Sequence, residues 1–202
     1  VPELRLRPGF NRHQVLSFSD EPRSLQREAR LLRRVAHDRI CRLYEHHVSA
    51  DGRLFGMMLE LLEMGSLSQR IRDSTDGRID EFEVVQMSFD VLAALQFMHE
   101  KKVIHRDIKS SNIMLTERDG RTIFKLIDLS VAAVEAEARE SVSQTLATGT
   151  TSLKGLAGTP HYMSPEQFDS DIAVSVQTDI WSLGVVTFEC LSGVLPFAAT
   201  EH

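Results

Sequence analysis

The stretch from Ile104 to Asn112 reads Ile-His-Arg-Asp-Ile-Lys-Ser-Ser-Asn and runs directly into the apolar Ile113-Met114-Leu115. It sets a carboxylate at Asp107, an ammonium at Lys109 and an amide at Asn112 close together along the chain. Phosphoryl transfer needs these three groups side by side. A carboxylate accepts a hydroxyl proton, an ammonium offsets charge on the moving group, and an amide oxygen holds a metal ion. A loop rather than a helix has to carry them. Because His105, Arg106, Asp107, Lys109 and Asn112 are all specified at once, the competing reading, a charged surface turn before a strand, explains far less of the pattern.

This stretch resembles the catalytic loop of protein kinases, and Lys109 makes it similar to the serine/threonine branch. The resemblance implies an α+β fold of two lobes: a small sheet with one helix, then a mainly helical lobe. It also implies roles. Asp107 would orient and deprotonate a protein hydroxyl, Lys109 would stabilise the γ-phosphoryl of ATP, and Asn112 with Asp128 would hold Mg²⁺. Arg106 would pair with a phosphate on the activation loop.

Composition narrows the alternatives. With 202 residues, 42% of them hydrophobic and 26% charged, the chain has the make-up of an ordinary globular protein. Its net charge of -6 argues against a nucleic-acid partner, which would demand an excess of basic charge. Arginines cluster between Arg23 and Arg42, but they alternate with leucines at helical spacing and read as a solvated helix face. Cys41 and Cys190 lie far apart inside apolar runs, as small buried hydrophobes do, which suggests a reducing compartment. There is no apolar run long enough to span a bilayer and no signal-peptide pattern at the start. The expectation is a cytoplasmic or nuclear protein with no membrane partner.

The first residues fit the resemblance least. Residues 1–14 show neither alternation nor helical period and read as an irregular segment ahead of a partial kinase domain at 15–202. Within that domain, 15–62 would be the small lobe and the start of the hinge, and 63–202 the large lobe. No glycine-rich loop is present, and the first lysine of any kind is Lys101. If Val15-Leu16-Ser17-Phe18 ends the strand that carries the family's phosphate-binding lysine, that position falls on Gln14 and the adenine roof on Arg12. A neutral amide cannot offset phosphate charge. Two explanations follow: a catalytically impaired pseudokinase or docking module, or a fragment whose first dozen residues do not belong to the fold. The second is favoured, because every other nucleotide-side position is intact.

Further along, Leu25, Ala29, Leu32 and Val35 recur at helical spacing, giving one buried face over Pro22 to Val35. By resemblance, Glu28 is the glutamate that pairs with the strand lysine. Ile40–Val48 and Arg53–Leu59 read as a hairpin turning at Asp51-Gly52. The hinge would follow, with Leu59 as gatekeeper, the backbone of Glu60 and Leu62 meeting the adenine edge, and Met114 lining the nucleotide site. Asp80 caps a long helix, with Glu83 reaching back in a capping box. Val84, Ser88, Val91, Leu95 and Met98, flanked by Val85, Phe89 and Leu92, predict a broad core stripe in which methionines and phenylalanines are buried. His99 at the helix end reads as structural, with no second histidine at ligand spacing.

A second hairpin, Ile113–Leu115 with Ile123–Ile127, turns at Asp119-Gly120 and leads into Asp128-Leu129-Ser130, which stands where the family has Asp-Phe-Gly. Residues 132–151 resemble a long activation loop, with Ser141, Ser143, Thr145, Thr148, Thr150, Thr151 and Ser152 as phosphoacceptors. Gly158-Thr159-Pro160 and Ser164-Pro165-Glu166 bracket its substrate-facing end. There Thr159 would bond Asp107 and Lys109, and Glu166 would await an arginine later than residue 202. Gln177–Leu191 reads as a helix apolar on most sides and so belonging in a core. Its Asp179 would hold the backbone of the catalytic loop. The resemblance therefore predicts a serine/threonine kinase using ATP and Mg²⁺ on a protein substrate. A small-molecule phosphotransferase is disfavoured by Thr159 and the Ser-Pro-Glu stretch.

Overall fold

Strand Gln14–Ser19 (β1) pairs antiparallel with Phe55–Glu60 (β3), whose other edge takes Leu43–Val48 (β2), making a three-stranded sheet in the order β1-β3-β2. The computed structural model describes residues 14–19, 22–49, 55–134, 160–169 and 172–197. The hairpin turn expected at Asp51-Gly52 lies outside them. β3 is central, so both of its edges are paired; α1 packs against it, and Phe55, Met57 and Met58 are buried.

Helix α1, Pro22–Arg34, crosses this sheet. Proline opens it without cost, since the first helical N–H has no partner within the helix. Leu25, Ala29, Leu32 and Val35 are buried as their spacing predicts, and Arg30, Arg33 and Arg34 are exposed. Two arginines tie this lobe to the next. Arg34 donates to the Lys101 carbonyl at 2.7 Å, and Arg39 Nε donates to Asp90 at 2.6 Å.

Past the sheet come α2, Leu67–Asp73, capped by the Ser66 hydroxyl, and the long α3, Glu81–Glu100. Asp80 caps α3 by accepting from the amides of Phe82 and Glu83. The Glu83 side chain does not reach back; it takes a two-pronged bond from Arg70 at 2.7 and 2.8 Å. A fork of paired charges outcompetes the single weak return bond of a capping box.

The stripe on α3 needs a larger correction. Val84, Met87, Val91, Ala94, Leu95 and Met98 are buried, but Phe82 and Phe89 stand 85% and 68% exposed, and Val85 and Leu92 are exposed with them. Spacing identified a wide apolar surface, while its neighbours, the strand Arg121–Leu126 and the helix Val176–Ser192, cover only part of it. Buried Asp90 sits in the covered part. It accepts from Arg39 and from the Phe124 amide at 3.0 Å, and so pins α3 to both lobes.

Short β4 (Val103–Ile104) pairs with β7 (Ala133–Val134), and β5 (Ile113–Arg118) pairs with β6 (Arg121–Leu126). The β5–β6 turn puts Asp119 and Gly120 at φ +54° and +73°, the two left-handed positions of a tight hairpin.

The last helix, α4, spans Val176–Ser192 and ends at Gly193, φ +77°. A Cβ there would lie 3.0 Å from the Gly77 carbonyl oxygen, so the close approach of these two turns requires glycine. Leu183, Val185, Val186 and Cys190 are buried, yet Ile180, Trp181, Phe188 and Leu191 are each 40% or more exposed. The helix read as apolar all round therefore buries only one side among the described residues. One continuous core runs from α1 through α3 and the β5–β6 hairpin to α4, beneath the cleft between lobes. No helix of the described residues is long and apolar enough to cross a membrane.

The two aspartates of α3 separate a buried from an exposed role. Asp90→Ala removes the carboxylate that both Arg39 and the Phe124 amide use, and is expected to cost about 3 kcal/mol in a urea titration. Asp80→Ala removes a surface cap and should cost about 1 kcal/mol. Equal losses would refute the assignment of Asp90 as the tie between lobes.

Candidate active site

Asp179, the fourth residue of α4, is fully buried and receives three hydrogen bonds. The amides of His105 and Arg106 donate at 3.0 and 2.8 Å, and His99 Nε2 donates at 2.7 Å. Asp179 thus lies against the backbone of the loop, with His99 beside it at the end of α3. Arg106 adopts φ +67°, a left-handed conformation that costs a non-glycine residue about 1–2 kcal/mol. Asp179 secures it on one side. On the other, the guanidinium donates through Nε to the Val131 carbonyl at 2.7 Å, and Nη2 donates to the same oxygen.

His105 connects this anchor to the reactive groups. Its Nε2 donates to the Ile127 carbonyl at 3.2 Å and its Nδ1 accepts from the Asp107 amide at 3.4 Å, so one tautomer satisfies both bonds. Beyond it, Asp107 Oδ2 lies 2.7 Å from Lys109 Nζ and accepts from Asn112 Nδ2 at 2.9 Å. The same Asn112 nitrogen donates to the Asp107 carbonyl at 2.9 Å. Asn112 opens the way to the neighbouring strand, because its carbonyl accepts from the Ile127 amide at 3.0 Å. Asp128 follows immediately. The loop therefore brings Asp107, Lys109 and Asn112 into contact and ties them to the residue that precedes Asp128.

Asp128 has φ +64° and accepts from the Ser130 amide at 3.0 Å. Leu129 is fully buried in the slot expected for an apolar residue, and its amide donates to Glu28 Oε1 at 3.4 Å. Burial pushes the Glu28 carboxyl upward, the nearby Asp128 charge adds to this, and the Leu129 amide offsets only part. Glu28 thus reaches the cleft from α1, and among the described residues the Leu129 amide is its hydrogen-bond partner.

At the hinge, the Glu60 amide donates to the Arg42 carbonyl at 2.8 Å, and its carbonyl accepts a weak 3.7 Å contact from the Cys41 thiol. Its carboxylate pairs with Lys125 at 2.6 Å. Leu62 is buried, and no backbone bond to another described residue engages it. Met114 is half-buried on β5, whose neighbour Leu115 exchanges backbone bonds with Met64 and Gly65.

Two expected sites lie outside the described residues: Thr159, and the phosphoacceptors between 141 and 152. Glu166 does not wait unpaired. It is half-buried and accepts from Thr178 at 2.8 Å. Burial pushes its carboxyl up, but its own amide and the Thr178 and Ser164 hydroxyls outweigh that and bring it below its ordinary value. Gln167 was not singled out as a site residue. Its side chain closes a capping box with Ser164 and donates to the Arg106 carbonyl at 3.1 Å. The Ser-x-x-Gln spacing was the available signal for the first of these and carried none for the second.

Oxygen donors define what metal would suit this cleft. Among the described residues there is no cluster of three or more His, Cys, Asp or Glu side chains. Asn112 commits its nitrogen to Asp107, so its amide oxygen and the Asp128 carboxylate are hard donors of the kind that could ligate a divalent cation.

A family model described as "Protein kinase domain" matches residues 12–202. The serine/threonine-protein kinase Nek4 of Mus musculus is 33% identical over 171 residues, covering 85% of this chain and 20% of that protein. A probable serine/threonine-protein kinase of Clostridium acetobutylicum is 31% identical over 93% of this chain and 26% of its own length. The ovarian-specific serine/threonine-protein kinase Lok of Drosophila melanogaster is 31% identical over 90% of this chain and 35% of its length. The chain thus spans about a third or less of these relatives.

A carboxyl raised above its ordinary 4.5 binds more protons in the folded than in the unfolded state. Stability contributed by protonated Glu28 is present below that value and is lost as pH rises through the folded one. Glu28→Gln should therefore raise the thermal midpoint more at pH 8 than at pH 4, and flatten the stability profile between them. An identical shift at both would contradict the burial of that charge.

Proposed function

The chain belongs to the protein kinase family, and on that premise we propose that it transfers the γ-phosphoryl group of ATP to serine and threonine hydroxyls of proteins. The observation that carries this reading is the contact of Lys109 and Asn112 with the Asp107 carboxylate, linked through Ile127 to Asp128 across one strand step.

Asp107 orients the acceptor hydroxyl and takes its proton as the phosphorus–oxygen bond forms. Lys109, held 2.7 Å from that carboxylate, stands where its ammonium offsets charge on the equatorial oxygens of the moving group. Asn112 holds the Asp107 side chain in place through Nδ2, while its oxygen and the Asp128 carboxylate would hold Mg²⁺, which would supply charge neutralisation at the phosphates of ATP. Leu62 offers the adenine edge backbone groups with no described backbone partner, and Met114 packs below the base. Arg106, whose guanidinium bonds the Val131 carbonyl here, would also pair with a phosphate on the activation loop. Most of the acceleration in such a site comes from positioning and fixed charge.

A protein acceptor is favoured over a small molecule by the 160–169 segment, whose Gln167 side chain donates to the Arg106 carbonyl of the catalytic loop. The absence of a transmembrane helix among the described residues and the two buried thiols, Cys41 and Cys190, both pushed up to about 12 chiefly by burial, accord with a reducing cytoplasmic or nuclear setting.

Asp107→Asn in the full-length protein should lower phosphate transfer to a protein acceptor by about 100-fold or more. It should leave the thermal shift produced by ATP with Mg²⁺ intact, since Asn112 and Asp128 remain. Asp128→Ala should abolish the Mg²⁺-dependent part of that shift. Transfer that survives Asp107→Asn unchanged would overturn the assignment, and a folded protein showing no shift with ATP would favour a docking role.

A further inference from the structure

Beneath the catalytic loop lies a polar cluster that the proposed transfer does not use. Ser110 opens the short 3-10 turn Ser110–Asn112, next to Lys109, and is 2% exposed. Tyr162 closes another such turn, Pro160–Tyr162, and is 8% exposed. Glu189 comes from α4. The Tyr162 hydroxyl donates to Glu189 Oε2 at 2.8 Å, and the Ser110 hydroxyl donates to Glu189 Oε1 at 3.2 Å. The two hydroxyls are 3.1 Å apart.

Three segments distant in sequence thus meet on one carboxylate: the loop that carries Asp107, the stretch that ends in Ser-Pro-Glu, and the central helix. Tyr162 is also gripped from behind, because Ser182 on α4 donates to its carbonyl at 2.7 Å. Burial pushes the Tyr162 phenol well above its ordinary value, so it remains a donor across the accessible pH range. Of the hydroxyls reaching Glu189, only that of Ser110 belongs to the catalytic loop. Its removal would leave the Tyr162–Glu189 bond in place and sever the link between the loop and the 160–167 segment at this point.

We propose that Ser110 is a positioning residue that seats the 160–167 segment against the catalytic loop, so that a protein acceptor is held over Asp107. The proposal rests on the kinase reading for its acceptor and on the geometry alone for the seating. A buried hydroxyl that donates to a half-buried carboxylate is a firm tether, because little water competes for the bond. Loss of the tether loosens the surface on which the acceptor lies. The Ser110 hydroxyl bonds Tyr162 and Glu189 rather than Leu62, Met114 or Asp128, so its loss is expected to act on the acceptor side.

The test uses the full-length protein carrying Ser110→Ala, Ser110→Thr, Tyr162→Phe and the Ala/Phe double substitution, with dephosphorylated casein as acceptor. Ser110→Ala is expected to speed amide exchange over 160–167 by about tenfold while leaving α3 unchanged. The KM for casein should rise about tenfold and that for ATP stay within about twofold. Ser110→Thr, which keeps the hydroxyl, should restore both. If its extra methyl unfolds the buried site, the cycle with Tyr162→Phe decides instead. There the double substitution should add little to either single one, since both act through Glu189. Unchanged exchange over 160–167, a parallel rise of both KM values, or full additivity would each overturn the proposal. If the parent protein transfers no phosphate to casein, the acceptor role fails, while the exchange measurement still decides the seating.

Discussion

Asp179 is a carboxylate with no exposure to water, and it takes two consecutive backbone amides and an imidazole. Burying such a charge costs several kcal/mol unless donors surround it, and three donors at 2.7 to 3.0 Å do so here. The exchange runs both ways. The carboxylate needs the loop amides, and the loop needs the carboxylate to hold Arg106 in a backbone conformation that a side chain disfavours. From this one anchor the direction of Asp107 follows, since it is the next residue. His105 then passes the constraint to Ile127, and hence to Asp128.

The cleft also needs its two walls kept in register. Arg39 and Asp90 do this at the back, where the carboxylate also receives the Phe124 amide, and Arg34 adds a second tie to the end of α3. Glu28 extends from α1 toward the Leu129 amide and feels the Asp128 charge. The small lobe therefore does more than cover the site. It places an acidic side chain beside Asp128, whose charge adds to burial in raising the Glu28 carboxyl.

Where expectation and structure part, the cause is usually competition among partners. Glu83 had the right spacing to close a capping box but found Arg70, a stronger partner from the preceding helix. Glu166, whose expected arginine lies beyond residue 202, accepts from Thr178, a hydroxyl on the helix beside it. The outward-facing Phe82 and Phe89 of α3, with Phe188 and Leu191 of α4, show another limit. A periodic apolar face says that a helix can be covered, but which neighbour covers it is a property of the whole assembly.

The family was legible in the sequence because its marks are short local motifs: Asp107, Lys109 and Asn112 within one loop, Asp128 after a hairpin, and Asp179 inside an apolar helix. Each of these needs only its own neighbours to be recognised. Helix and strand positions were legible for the same reason, since apolar spacing and turn residues such as Asp119-Gly120 act over a few residues. What only the tertiary structure decided are the pairings between distant segments: Asp90 with Arg39, Gln167 with the Arg106 carbonyl, and Ser110 and Tyr162 sharing Glu189. A side chain's type limits its possible partners, but its choice among them depends on which backbone groups packing has deprived of water, and no local pattern records that.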